Sequence, residues 1–172
     1  MDPWVPNLSW VQPDLAVGGS FPVEQAARLA ADHGIGAVID LRAESCDAPE
    51  VLAACGLSFL HLPTPDMLGV SQPMLDAAVA FARDAGREGR RLLIHCEHGI
   101  GRSATAALCV LADRGLAPLE ALELAKAQRA LIPPSRSQYE AWAAWLARRG
   151  RHRAPSYHQF GMVAYRHLAR SS

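Results

Sequence analysis

A chain of 172 residues holds one ordinary domain with a real hydrophobic core and is too short for several. Half of its residues are hydrophobic and its 17 Lys and Arg balance its 17 Asp and Glu, so no global field recruits nucleic acid or an acidic membrane, and any anion must be recognised locally. The opening MDPWVPNLSW has neither a charged nor an apolar leader region, and no apolar run reaches the roughly 18 residues a bilayer span needs. The expected setting is therefore the cytoplasm, with Cys46, Cys55, Cys96 and Cys109 reduced.

In chain order, Leu15 to Gly19 reads as a short strand and turn. Pro22 to His33 is alanine-rich with helical spacing and has Gly34 as its C-cap. Ala37 to Arg42 is a compact strand. A helix is predicted from about Asp47 to Cys55, with Asp47 as N-cap and Gly56 as stop. Leu57 to Leu62 alternates as a strand. The loop Pro63 to Val70 follows, irregular because of two prolines and a glycine, and it carries Asp66. The stripe Leu75, Ala78, Val79, Ala82 and Ala85 marks a helix, Arg91 to His95 a buried strand, and Ser103 to Arg114 an apolar helix ended by Gly115. Two helices close the domain: Pro118 to Arg129, and Ser137 to Arg149 with Ser137 and Glu140 as a capping box and Gly150 as stop. Beyond lies a basic, irregular tail over 151–172, read as a partly ordered helix. Arg148, Arg149, Arg151 and Arg153 read as a solvated helix end.

Strands alternating with helices predict a single α/β domain over residues 1–150, with a mostly parallel central sheet flanked by helices on both faces. Ligands in such folds sit beyond the carboxyl ends of the strands, where Cys96 falls. Between Cys96 and Arg102 lie Glu97, His98, Gly99, Ile100 and Gly101. The two glycines let the backbone curl so that successive N–H groups converge, which makes a nest for an anion. The helix that follows adds the positive end of its dipole, and Arg102 adds a planar fork suited to phosphate oxygens. The same groups favour a thiolate at Cys96 and so a nucleophile aimed at bound phosphorus.

The run His95-Cys96-x5-Arg102-Ser103 resembles the signature of cysteine-dependent protein tyrosine phosphatases, most nearly their dual-specificity branch. The likeness extends over roughly residues 10–149. It includes Val38 to Arg42, the Pro63-Thr64-Pro65-Asp66 loop and the approach Pro133 to Ser137. The resemblance implies that Cys96 takes the phosphoryl group as a phosphocysteine and that Arg102 stabilises its equatorial oxygens. Asp66 would serve as acid and then base, Ser103 would assist the departing sulfur, and His95 would orient the loop. Glu97, His98, Gly99, Ile100, Gly101 and Arg102 would form the phosphate cradle. No metal or other cofactor is implied.

Other readings of the same residues are weaker. His95, Cys96 and His98 lack a fourth ligand at zinc-like spacing, and Arg102 would repel a cation. Asp40 and Asp47 are rival acids, with Asp40 better read as structural at a strand end. Cys46 is the thiol best placed to protect the nucleophile by a disulfide, although packing accounts for it more simply, as for Cys55 and Cys109. A silent phosphate-binding module would need neither Cys96 nor Asp66. The expected partner is a phosphorylated protein or small phosphomonoester, not nucleic acid. An inositol phosphate or phosphoinositide is the alternative substrate, disfavoured because the loop carries Glu97 and no lysine.

Overall fold

The computed structural model describes residues 3–129, 134–149 and 152–166. Strand β3 (Ile35–Arg42) and strand β5 (Arg91–His95) form the centre of a five-stranded sheet. They pair in parallel, with Asp40 beside His95. Strand β2 (Leu15–Gly18) lies parallel on the other side of β5, and β4 (Ser58–Thr64) lies parallel on the outer side of β3. Strand β1 (Leu8–Gln12) closes the sheet antiparallel to β2, giving the order β1-β2-β5-β3-β4. The sequence reading did not anticipate β1. Val11 is buried and Leu8 and Trp10 are half-buried, but an alternation of two apolar residues is too short to mark a strand.

Side chains alternate across the sheet with the period of two that strands impose. Ala16, Val38 and Leu93 face a smaller core with Ala26, Leu29 and Leu52, whereas Leu15, Val17, Ala37, Ile39, Leu41, Leu92 and Ile94 face a larger one. The smaller layer is built by α1 (Ala26–His33), which follows a short 3-10 turn Val23–Gln25, and by α2 (Pro49–Ala54). The larger layer holds α3 (Gln72–Arg87), α4 (Arg102–Asp113), α5 (Pro118–Gln128), α6 (Arg136–Arg149) and α7 (Tyr157–Ala164). The predicted stripe of α3 is buried in full. Helix α4 is buried from Arg102 to Ala112 on every side, because it lies between the sheet and its neighbours.

Two predicted caps are corrected. Ala48, with extended backbone, is the N-cap of α2; Asp47 is turned inward to Arg42 and His95. At α6 the reciprocal bonds join Ser135 and Gln138, at 3.2 and 2.7 Å, while Ser137 Oγ accepts the N–H of Gly69 and Glu140 pairs with Arg136. Arg148 and Arg149 are held by Asp76 of α3 rather than by solvent alone. Gly150, expected to stop α6, lies outside the described residues, as do Arg151 and Pro133. The tail contains α7, started by a capping box between Ser156 and Gln159. Its Phe160 is fully buried against Tyr139 and Trp142, and Lys126 donates to the Ala164 carbonyl.

Candidate active site

Because β3 and β5 run parallel side by side, the segments leaving their carboxyl ends emerge at one edge. That edge brings together the β5–α4 loop, the residues after Arg42 and the loop after β4. Cys96 is 3 % exposed, receives its place in the sheet through an N–H bond to the Gly18 carbonyl, and has its Sγ 3.3 Å from Ser103 Oγ. Asp66, Cys96, His98, Ile100, Gly101 and Arg102 line one cavity, together with Met67 and Gln138. Of the residues predicted from the sequence, Asp66, Cys96, His98, Ile100, Gly101 and Arg102 share this cavity, whereas His95, Glu97, Gly99 and Ser103 do not line it and the Glu97 carboxylate turns to Arg42 and Ser20.

The loop needs both of its glycines. Gly99 has φ +70°, and a Cβ there would fall 2.4 Å from the Gly18 carbonyl carbon and 2.6 Å from an Arg129 nitrogen. A Cβ on Gly101 would strike the Gln138 amide at 2.4 to 2.8 Å. A larger residue at Gly99 would push the loop off the Gly18 backbone, whereas one at Gly101 would displace the Gln138 amide.

Beneath Cys96 lies a buried polar network. His95 is fully buried; its Nε2 is 2.6 Å from Asp47 Oδ2 and its Nδ1 3.2 Å from the Cys96 carbonyl. Arg42 answers Asp40 and Asp47 and reaches Glu97 at 3.2 Å, while Ser20 Oγ donates to the other Glu97 oxygen. Burial works to raise the Asp40 carboxyl, but hydrogen bonds and charge from Arg42 and charge from His95 hold it below the ordinary range. Both rival acids are therefore committed to Arg42, whereas the Asp66 side chain is 68 % exposed on the rim. The ring nitrogens of His95 already have partners, and His95, Cys96 and His98 do not form a close ligand cluster among the described residues. Cys46 bonds the Asp47 carbonyl, and desolvation with the Asp40 and Asp47 carboxylates pushes its thiol up.

Arg102 occupies the first turn of α4 and is 2 % exposed. Glu44 grips both of its terminal nitrogens at 2.7 and 2.8 Å, the Thr64 carbonyl takes a further bond at 2.7 Å, and Asp66 Oδ1 stands 3.7 Å away. The hydrogen bonds from Arg102 hold the Glu44 carboxyl down at about 2. Among the described residues Arg102 Nε is buried with no partner. Such a charged donor, desolvated and unanswered, is costly unless an acceptor arrives, and it sits on a side chain that lines the Cys96 cavity.

Glu44, Arg129 and Gln138 are not marked as site residues by the sequence, and Asp47 is marked there only as a rival acid and an N-cap. Glu44 had one available signal: it follows the strand adjoining that of Cys96, at the same end. Arg129 and Gln138 come from the segments around the end of α5 and the start of α6, and nothing local marks them.

The chain matches the Swiss Army Knife protein DSP-PTPase phosphatase domain family (PTP-SAK) over residues 5–150. It is 32 % identical over 118 residues to human dual specificity protein phosphatase 12, which covers 64 % of this chain and 32 % of that protein. It is 42 % identical over 55 residues to mouse laforin, covering 31 % of this chain and 16 % of that protein. The chain thus spans a third or less of the length of these curated relatives. Among solved structures, Tk-PTP in its active form superposes with TM-score 0.76 at 27 % identity, covering 83 % of this chain and 98 % of that one. PTPMT1 in complex with PI(5)P gives 0.75 at 23 % identity over 80 % and 93 %, a likeness of fold.

Proposed function

Because the chain belongs to the DSP-PTPase phosphatase domain family, we propose that it hydrolyses phosphoric monoesters through a phosphocysteine at Cys96, with residues 1–150 as the catalytic unit. The observation that carries this reading is Arg102, which lines the same cavity as Cys96 and whose buried Nε has no partner among the described residues. A phosphoryl oxygen is the acceptor that such a donor lacks.

The steps follow from the positions. The thiolate of Cys96 attacks phosphorus while the bond to the leaving oxygen breaks, and protonated Asp66 on the rim delivers its proton to that oxygen. Arg102 and the loop N–H groups carry the charge on the equatorial oxygens. Asp66, now a carboxylate, takes a proton from water as the water attacks phosphorus. The phosphorus–sulfur bond breaks, and the sulfur leaves as a thiolate that accepts a hydrogen bond from Ser103 Oγ. No step calls for a metal ion.

Phosphorylated protein, with phosphotyrosine preferred, is the proposed substrate. Glu44, Asp66 and Glu97 surround the cradle, and Arg42 is already committed to three carboxylates. A single dianion is matched by Arg102 and the nest, whereas a polyphosphorylated ring brings further charges toward these carboxylates, and Arg129 beside the loop already directs its donors to neutral oxygens of the loop and the β1 edge. The phosphoinositide reading has one support, the fold shared with PTPMT1 bound to PI(5)P. Among the described residues no helix is long and apolar enough to cross a membrane. The deciding assay is hydrolysis of an aryl phosphate, expected to be insensitive to chelator, blocked by vanadate and abolished by Cys96→Ser. Chelator-sensitive turnover, or turnover in Cys96→Ser, refutes the covalent mechanism; better hydrolysis of a soluble phosphoinositide than of a phosphotyrosine peptide refutes the substrate assignment.

A further inference from the structure

Arg129 directly follows α5 and takes no part in the steps above. Its guanidinium donates from Nε to the Gly99 carbonyl at 2.7 Å and from one terminal nitrogen to the His98 carbonyl at 3.0 Å and Asn7 Oδ1 at 2.9 Å. The other terminal nitrogen donates to Ser9 Oγ at 3.2 Å. All four acceptors are neutral oxygens, and no carboxylate pairs with Arg129 among the described residues. Two acceptors belong to the cradle and two to β1 and the residue before it.

A peptide group is planar and trans, so its N–H points opposite to its C=O. Holding the His98 and Gly99 carbonyls on the outer side of the loop therefore turns the N–H groups of Gly99 and Ile100 inward. The Ser20 N–H holds the Glu97 carbonyl in the same manner at 2.9 Å, which turns the His98 N–H. Three consecutive donors are thus aimed by bonds made to the opposite ends of their peptide groups. Two of the three are aimed through Arg129, the His98 carbonyl also accepting a longer bond from Asn7 Nδ2 at 3.5 Å.

We infer that Arg129 is a positioning residue for the anion cradle, its planar fork fixing the direction of the Gly99 and Ile100 N–H groups and tying the loop to the N-terminal edge of the sheet. The inference rests on the phosphatase reading and adds a residue to it. Lysine cannot replace the fork, because a single ammonium on a flexible stem does not hold two successive carbonyls and the Asn7 and Ser9 oxygens together.

The test compares wild type, Arg129→Ala and Arg129→Lys in three measurements. These are calorimetric affinity for inorganic phosphate, kcat/KM on an aryl phosphate, and amide hydrogen exchange over residues 97–101 with α3 as internal control. Both variants are expected to bind phosphate about tenfold or more weakly and to lose at least as much kcat/KM, since misdirected donors serve neither ground state nor transition state. Exchange should quicken in the loop while α3 stays protected. Wild-type phosphate affinity in both folded variants, or full rescue by lysine, overturns the positioning role. A fall in melting temperature with unchanged affinity and loop exchange overturns it too. Failure of the wild-type protein to bind phosphate or turn over the ester overturns the phosphatase reading and this inference together, whereas an active wild type with indifferent variants overturns this inference alone.

Discussion

Glu44→Ala removes both bonds that fix the terminal nitrogens of Arg102, leaving the guanidinium with the Thr64 carbonyl. Hydrogen bonds to charged groups contribute about 1.5 to 3 kcal/mol each, but the Glu44 side chain is 44 % exposed and its share must be discounted for solvent screening. A loss of roughly 1.5 to 3 kcal/mol for the pair is the reasonable range, which corresponds to about a 10- to 100-fold fall in kcat/KM on an aryl phosphate if Arg102 must be fixed for the transition state. Glu44→Gln retains one acceptor and should fall between. The same pair has an acid signature. The Glu44 carboxyl lies near 2 in the folded protein against its ordinary 4.5, a depressed value. Its charge therefore adds stability that is complete above the ordinary value and is lost as pH falls toward the folded one. The melting-temperature advantage of wild type over Glu44→Gln should be constant above about pH 5 and vanish near about pH 2. If Glu44→Ala instead raised kcat/KM and tightened phosphate binding, Glu44 would be a competitor for Arg102 rather than its brace, and the reasoning would be refuted.

Asp66→Asn should slow hydrolysis of a phosphotyrosine peptide by about a hundredfold or more and affect an activated aryl ester far less, because a good leaving group needs little protonation; equal losses on the two substrates would remove Asp66 from the acid role. Phe160→Ala should lower unfolding free energy by about 3 to 5 kcal/mol in a urea titration, since the ring is fully buried against Tyr139 and Trp142; a cost under about 1 kcal/mol would mean that α7 is not docked in solution.

What could be read from the sequence was what short-range chemistry encodes. The α3 stripe repeats at helical spacing, Ile94 and its neighbours form an uninterrupted buried strand, and two glycines between a cysteine and an arginine describe a loop that curls. Misreadings arose where one local pattern serves two arrangements. Ser135-x-x-Gln138 and Ser137-x-x-Glu140 are both acceptable capping boxes, and the later serine is taken by Gly69 from a distant loop. Asp47 has the right chemistry for an N-cap, but a histidine 48 residues along the chain claims it. Glu44 had only its place after the strand beside that of Cys96 to mark it, and Arg129 lay beyond reach because its partners are set by the path of the α5–α6 connection. A strand as short as β1 hides for the opposite reason: the alternation of Leu8 and Trp10 is too brief to read.

The burial of α4 on every side has a consequence for how this protein can diversify. Ala104, Ala106, Ala107 and Ala112 are small residues in close-packed surroundings, so enlarging them strains the interior. Substitutions that enlarge this helix should therefore lower stability and, with it, the amount of folded protein. Met67 and Leu68 are 62 % and 50 % exposed on the loop beside Asp66; Leu68 can be exchanged freely, while the left-handed backbone of Met67, φ +66°, disfavours β-branched replacements there. New substrate ranges should arise at that rim, over a floor that stays the same.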